Sequence, residues 1–319
     1  MNGSTLKSWF VSATLVAVVA ACGGGNSPPA ASPTPDGTGT ASPSATPSGS
    51  ASAASTPEPT PAKIALKAYF LYFGNVDGPT PLVPVYREVD GTVAVARAAM
   101  EQLLAGPTID ERAHDLQVGT IGTQIPEETR LLGLDVADGI ATVDLSGEFA
   151  SGDIAGDERE SWAIRLAQVT YTLTQFPTVE SVRFMVEGKP AGTIEGHEGT
   201  PIDLATRAAY ADQRPGIFID QPAWGGELAD PLVVLGTAQI LAEPAQFEAA
   251  LALRTTAEIL VQQTVRSACA PGCWQPPEGG RFEFEMSVPV GADRDDLILI
   301  VWAASSDRGK PGALAYPLH

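Results

Sequence analysis

The chain contains few positive charges, few histidines and few cysteines. Its 319 residues include 19 Lys and Arg against 38 Asp and Glu, which gives a formal net charge of −19. A protein that binds nucleic acid needs a basic surface to neutralise phosphates, so this balance argues against nucleic acid as a partner. The chain also lacks a Gly-x-Ser-x-Gly elbow, a His-Glu-x-x-His pair, a Walker loop and a dinucleotide-binding glycine motif. We therefore predict a protein that is not an enzyme and that carries no cofactor.

Two isolated groups are the remaining candidates for chemistry. His197 and Glu198 lie in a glycine-rich stretch, and Asp293, Asp295 and Asp296 form an acidic cluster. A lone histidine in such a loop is usually solvated, and the acidic cluster lacks the Gly and the terminal Glu of a calcium-binding loop. We interpret both groups as solvated and predict no metal site. A hydrolase with an unrecognised site is the weakest alternative.

The first 21 residues predict an export signal. A polar start with one positive charge precedes residues 9–21, an uncharged apolar stretch shorter than the roughly 20 residues of a membrane-spanning helix. The stretch ends in Val19-Ala20-Ala21-Cys22, which resembles the lipobox of bacterial lipoproteins. This resemblance implies that 1–21 are a signal peptide and that Cys22 carries a lipid anchoring the protein to the cell membrane, on its extracytoplasmic side. An ordinary secretory signal cleaved near Ala20 is the alternative.

Residues 23–62 consist almost only of Gly, Ser, Thr, Pro and Ala, with no aromatic and no large aliphatic side chain. Such a segment cannot bury enough apolar surface to offset the entropy lost on ordering. We therefore predict that 22–62 form a lipidated cysteine followed by a disordered tether. Sugars on Ser and Thr next to Pro are an alternative to an undecorated linker.

Two cysteines remain once Cys22 is assigned to the lipid. Cys269 and Cys273 lie in Ser-Ala-Cys-Ala-Pro-Gly-Cys-Trp, and in an exported protein they most simply form a disulfide. A metal site is the alternative, although the histidines are scattered and no second cysteine pair exists. Trp274 follows this loop and Trp224 lies in Pro-Ala-Trp-Gly-Gly. Both are candidate contacts for a sugar or a partner, with packing over a sheet edge as the alternative.

Residues 63–205 predict an α+β domain with a small sheet and two helices. Apolar residues recur every three or four positions over 93–104 and 162–176, which predicts two amphipathic helices. The Asp138-Gly139 pair lies between two alternating runs and supplies the positive φ angles of a tight hairpin turn. The β-rich runs in this part are 64–73, 82–89, 130–136, 140–145 and 181–187.

Several segments of this domain resemble the GerMN domain, a family named from a spore germination and sporulation lipoprotein. The segments that carry the resemblance are 98–107, 125–126 with 131–133, 138–146 and 168–177. The run Tyr171-Thr-Leu-Thr-Gln-Phe-Pro177 is specific in order and spacing. The resemblance implies a small sheet with two helices on one face, and a role in envelope complexes whose ring-building domains share this structure.

Residues 216–319 predict an all-β immunoglobulin-like sandwich, and 206–215 a boundary. Short β-runs bounded by turn residues follow one another at sandwich spacing. These runs are 217–220, 232–238, 247–254, 259–265, 281–288, 297–303 and 313–317. Segments 217–222, 230–238 and 247–249 resemble the immunoglobulin-like domain that accompanies GerMN in spore-germination-type bacterial proteins.

These features predict a lipid-anchored, extracytoplasmic binding or assembly protein of the cell envelope, similar to germination and sporulation lipoproteins. Its expected partners are the membrane, through the lipid, and an envelope protein. The alternative is a module that binds cell-wall glycan or a small ligand, with peptidoglycan as a candidate partner. Binding to peptidoglycan distinguishes the two.

Overall fold

A computed structural model describes most of the chain from residue 62 onward. The described residues are 62–74, 80–113, 118–151, 158–193, 204–240, 246–266, 279–303 and 313–319. By contacts the chain divides into two units, Met1–Pro57 and Glu58–His319, and every described residue belongs to the second. The predicted signal peptide and all of the predicted tether except Ala62 lie outside the described residues.

The first region, residues 63–205, contains two sheets. Its elements are Lys63–Phe73 (β1), Leu82–Asp90 (β2), Val95–Leu104 (α1), Ile109–Arg112 (α2), Thr120–Gly122 (β3), Leu131–Ala137 (β4), Ile140–Leu145 (β5), Glu158–Leu173 (α3), Ser181–Val186 (β6) and Lys189–Pro190 (β7). Strand β1 lies between β2 and β3 in one sheet, and the second sheet has the order β4-β5-β6-β7. Strands β5 and β6 are parallel and are connected through helix α3, whereas the other strand pairs are antiparallel.

The hairpin between β4 and β5 confirms the sequence prediction. Asp138 and Gly139 have φ angles of 52° and 78°, and Ala137 pairs with Ile140 across the turn. Helix α1 begins later than the apolar period predicted, since Val93 is fully exposed and precedes the first helical residue. Apolar spacing alone therefore extended this helix too far at its start.

Helix α3 holds the edge of β1 with side chains. The Gln175 amide accepts from the Lys67 N–H (2.9 Å) and donates to the Lys67 carbonyl (2.6 Å). Thr172 Oγ1 accepts from the Tyr69 N–H (3.1 Å), and Gln168 Nε2 donates to the Tyr69 carbonyl (3.0 Å). Gln168 and Thr172 share one face of α3, and Gln175 follows two residues after the helix ends; together they take the place that a neighbouring strand would fill. This is why the region has two sheets where the sequence predicted one.

The same helix also ties down two loops. Arg165 is 3% exposed and donates from Nη1 to the carbonyls of Phe149 (2.6 Å) and Ser151 (2.9 Å), and from Nε to that of Gln124 (2.9 Å). Gln168 Oε1 in turn accepts from the Gln124 N–H (3.0 Å). Directional bonds therefore fix α3 against three segments of backbone.

Segment Arg207–Gln213, which the sequence predicted as a boundary, forms 3₁₀ turns.

The β-region, residues 216–319, contains two sheets. Its strands are Ile217–Gln221 (β8), Leu232–Ala238 (β9), Gln246–Leu253 (β10), Ile259–Arg266 (β11), Gly280–Met286 (β12), Leu297–Ala303 (β13) and Ala313–Pro317 (β14). One sheet has three strands in the order β12-β9-β8, and the other has four in the order β11-β10-β13-β14. The pairings between these strands are all antiparallel.

These two sheets pack face to face through aromatic side chains. The ring of Phe247 on β10 lies 4.9 Å from that of Phe282 and 6.1 Å from that of Phe284, both on β12. On β12 the apolar residues point inward and Glu283 and Glu285 outward, as the alternation predicted. The apolar strand β13 lies in the middle of its sheet, again as predicted. The β-region is a two-sheet sandwich.

The two regions share one hydrophobic core, with Trp224 at the centre of their junction. The Trp224 N–H donates to the Pro84 carbonyl, and the Tyr86 N–H donates to the Trp224 carbonyl, each at 2.8 Å. The indole ring lies 5.7 Å from the ring of Tyr72 in the first region and 6.5 Å from that of Tyr316 in the β-region. Buried residues of both regions belong to a single cluster.

Candidate functional site

A concavity of about 540 Å³ lies beside the junction, between the 3₁₀ turns and the β8-β9-β12 sheet. Its walls include Arg207, Arg214 and Arg281, with Phe218 and Thr237 between them. We call this the arginine pocket. Converging arginines are unusual in a chain with twice as many acidic as basic side chains.

Strand register explains the floor of the pocket. Arg281 on β12 pairs with Thr237 on β9, which in turn pairs with Phe218 on β8. Residues directly opposite one another on neighbouring strands share a face of the sheet, about 5 Å apart. The three side chains therefore form one row across the outer face, and Arg281 at the end of that row is exposed.

The guanidinium of Arg207 is fixed by two aromatic rings and three hydrogen bonds, and some of its N–H groups have no acceptor among the described residues. Its guanidinium carbon lies 5.3 Å from the centroid of the Tyr69 ring and 5.0 Å from that of Tyr171. Its Nε donates to Thr174 Oγ1 (2.8 Å), and its Nη2 donates to the Tyr171 carbonyl (3.1 Å) and to Tyr69 Oη (3.3 Å). Within the described part of the chain, Nη1 has no hydrogen-bond acceptor. Aromatic stacking thus orients this guanidinium without using all its N–H groups.

Arg214 carries an unsatisfied buried donor. Its guanidinium lies 5.9 Å from the centroid of the Phe218 ring, and Nη1 makes a long hydrogen bond of 3.4 Å to Thr237 Oγ1. Its Nε is buried and has no partner among the residues that the structure describes. Leaving a buried donor unpaired costs about 1–3 kcal/mol, so the fold positions this side chain in the pocket wall at a cost in stability.

Asp220, one of the two acids that line the pocket, is already engaged elsewhere. Asp220 Oδ1 lies 3.1 Å from Lys67 Nζ and accepts from Tyr69 Oη at 3.2 Å. Across the described ranges, no carboxylate forms an ion pair with Arg207, Arg214 or Arg281. The pocket therefore has more positive than negative charge.

Tyr69 connects the pocket to this ion pair. Burial raises the pKa of its phenol, and the neighbouring Arg207 lowers that pKa only in part. The phenol is therefore protonated at neutral pH, so that it accepts from Arg207 and donates to Asp220. This hydrogen-bonded chain fixes Arg207 relative to β8.

A second groove, of about 390 Å³, is lined in part by Lys67, Tyr86, Gln221 and Leu232. It contains the cation of the Lys67–Asp220 pair, whereas Asp220 lines the arginine pocket. The pair thus separates a more apolar groove from a basic one.

Most site residues predicted from the sequence lie outside the described residues. These are Cys22, Cys269, Cys273 and Trp274. Trp224 is described and is 5% exposed, because its ring packs between aromatic residues of the two regions. Its side chain fills the junction and offers little surface for stacking on a sugar.

The acidic cluster after β12 bonds to backbone of its own loop and to the turn between β10 and β11. The Asp293 carboxylate accepts from the Asp295 N–H (3.3 Å), and Asp296 accepts from the N–H (3.0 Å) and Oγ1 (2.6 Å) of Thr255. Arg294 donates to the Leu228 carbonyl at 2.6 Å. Among the described residues, no group of three or more His, Cys, Asp and Glu is placed to hold a metal ion. His197 and Glu198 are outside the described ranges.

In the described part of the chain, no helix has the length and apolar character needed to cross a bilayer.

Sequence reasoning missed the arginine pocket. Arg207 and Arg214 lie in the segment predicted as a boundary, and Arg281 lies on a strand whose other outward residues are acidic. The available signal was the presence of two basic residues within eight positions of a strongly acidic chain. Only the fold brings Arg281 beside them.

Comparison with known families identifies part of the first region. Residues 69–192 match the family model described as "Germane: Sporulation and spore germination". This segment is a GerMN domain. It confirms the resemblance carried by 98–107 and 168–177. The GerMN domain ends before the segment that carries Arg207, so all three arginines of the pocket lie outside it.

Two solved structures are similar to the chain. The first GerMN domain of the sporulation protein GerM from Bacillus subtilis is 21% identical, covers 45% of this chain and 98% of its own, and has a TM-score of 0.35. The tandem GerMN domains of the same protein are 18% identical, cover 64% of this chain and 61% of their own, and have a TM-score of 0.36. No curated protein matches the chain.

Proposed function

We propose that the chain is a lipid-anchored, extracytoplasmic, non-enzymatic binding or assembly protein of the cell envelope. The observation that carries this proposal is the match of residues 69–192 to a family of sporulation and spore germination. In this proposal the GerMN domain and the β-region, an immunoglobulin-like sandwich, act together because Trp224 joins their cores. An envelope protein is the partner. Extending a family's role to this chain is an analogy, so each part has its own test.

The anchor is the first part to test. Replacement Cys22→Ser removes the acyl acceptor, and we expect the protein to move from the membrane fraction to soluble or unprocessed forms. The matched control is Cys269→Ser with Cys273→Ser, which also removes thiols but keeps Cys22, and should leave the protein in the membrane fraction. A Cys22→Ser protein that stays membrane-bound with mature mobility would contradict lipid anchoring.

The partner is the second part. Affinity purification of the full chain from native membranes, after chemical cross-linking, should recover an envelope protein. Purification of an unrelated lipoprotein at equal abundance gives the background. The assembly role fails if the two preparations contain the same proteins.

The arginine pocket favours a second candidate function, the binding of cell-wall glycan or a small ligand. Its charge and shape are those of a small-molecule site at a junction between two regions. Co-sedimentation of the full chain with purified peptidoglycan tests the glycan form. Protein that remains in the supernatant argues against glycan and leaves the small ligand to the direct titration described below.

A further inference from the structure

We propose that the arginine pocket binds an oxyanion, namely the carboxylate or phosphate group of a small ligand. The inference rests on the second proposed function, ligand binding, and is independent of lipid anchoring. It concerns residues outside the GerMN domain.

The donors in the pocket suit this chemistry. Arg207 and Arg214 come from the 3₁₀ turns and Arg281 comes from β12, so guanidinium groups approach from two elements. A guanidinium presents N–H groups in a fork that matches two oxygens of a carboxylate or phosphate. Stacking on Tyr69 and Tyr171 fixes the Arg207 guanidinium before any ligand arrives, with Nη1 as its remaining donor among the described contacts. A preorganised fork loses less entropy on binding than a mobile one.

Unused hydrogen-bonding capacity points the same way. Among the described residues, Arg207 Nη1 and the exposed guanidinium of Arg281 have no hydrogen-bond acceptor. Asp220, one of the two acids that line the pocket, already accepts from Lys67 and Tyr69. An incoming oxyanion would satisfy the donors that this acid leaves unpaired.

The rest of the pocket limits the ligand's body. Phe218 and Leu235 supply apolar surface, whereas Thr237 and Glu283 supply polar groups. A carboxylate such as Glu283 accepts from hydroxyl or ammonium groups and repels a second anion. The ligand class is therefore a small organic acid or phosphate ester that carries hydroxyl groups and a single anionic group.

The test is calorimetric titration of the full chain, extracted from membranes in detergent, in a buffer free of phosphate. The probes are inorganic phosphate, glycerol phosphate and gluconate, which compare phosphate with carboxylate chemistry. We expect a hydroxylated probe to bind, and its affinity to fall by about tenfold or more in Arg281→Glu, because a charged hydrogen-bond donor is replaced by an anion. The Arg281 side chain is exposed and makes no hydrogen bond or ion pair with the described residues, so the fold should survive.

The matched control is Arg183→Glu, the same charge change at an exposed strand position on β6. Its affinity for the probes should equal that of the parent chain. Should Arg281→Glu fail to fold, Arg281→Ala takes its place with the same expectation. Three results would overturn the inference: no binding of any probe at about 10 mM, far above ordinary affinities; binding unchanged by Arg281→Glu; or an equal loss in Arg183→Glu. None of these results bears on the Cys22→Ser experiment, so a failure of oxyanion binding can be distinguished from a failure of lipid anchoring.

Discussion

The GerMN domain and the β-region are stabilised in different ways. In the GerMN domain a helix with a buried polar face bonds directly to strand backbone, through Gln168, Thr172 and Gln175. In the β-region two sheets pack through apolar and aromatic side chains such as Phe247 and Phe282. The distinguishing contacts of the GerMN domain are therefore directional, and those of the β-region are not.

This difference affects how strictly the fold determines the amino-acid sequence in each of the two regions. A hydrogen bond needs a given donor or acceptor at a given place, whereas an apolar contact accepts many side chains of suitable size. The run 168–177 is distinctive because Gln168, Thr172 and Gln175 have defined backbone partners. The strands of the β-region read mainly as an alternation of apolar and polar residues, a pattern that many sandwiches share.

The largest expected effect comes from removing the side chain that joins the GerMN domain to the β-region. Trp224→Ala should lower the free energy of unfolding by about 3–5 kcal/mol, since it removes a large buried ring from between Tyr72 and Tyr316. Denaturant unfolding gives the magnitude, and hydrogen exchange should show amides of both β1 and β14 losing protection. The comparison variant Trp302→Ala, at a half-buried site on β13, should cost less. Loss of protection in the β-region alone would mean that the regions are stabilised independently.

A smaller effect is expected when a buried residue of each region is replaced by Met. Gln168→Met keeps the volume but deprives the Tyr69 carbonyl and the Gln124 N–H of their buried partner, at a cost of about 2–4 kcal/mol. Leu299→Met changes a fully buried apolar residue in the β-region and should cost less than about 1.5 kcal/mol. Unfolding free energies from denaturant titration provide the measurement. Equal losses would remove the proposed distinction between the cores.

The smallest effect compares one turn from each region. Gly139 has a φ of 78° with room for a methyl group, so Gly139→Ala should cost about 1 kcal/mol from backbone strain alone. Ala257 is an exposed residue with a φ of 57°, and Ala257→Gly should stabilise the chain by up to about 1 kcal/mol. Thermal and denaturant midpoints can resolve both. The same sign of change in both variants would contradict the strain argument.

Local elements were predictable from the sequence because their signals are local. Asp138-Gly139 fixed the hairpin, and the strands 232–238, 297–303 and 313–317 occur within the predicted bounds. The period of α3 was also visible, since Trp162, Leu166 and Val169 are all buried.

The arrangement of sheets and the pocket were not predictable, because their signals are distant or hidden. Apolar periodicity does not register Gln168, a polar residue that is wholly buried, so it missed the bonds that separate the sheets. It also could not place Arg281 in one pocket with Arg207, because the pairing of β12 with β9 sets the position of Arg281. Buried polar groups and charges from separate elements need three-dimensional information.

The helix bonds to β1 also bear on aggregation. Lys67 and Tyr69 have their outward backbone groups satisfied by α3, and on β2 the Pro84 carbonyl and Tyr86 N–H are bonded to Trp224. An apolar strand with free ladder groups is a template for pairing with further chains and for amyloid-like stacking. Here the run Tyr69-Phe70-Leu71-Tyr72 is as apolar as such templates require. Its own helix and a segment of the β-region occupy the positions from which fibril growth would begin.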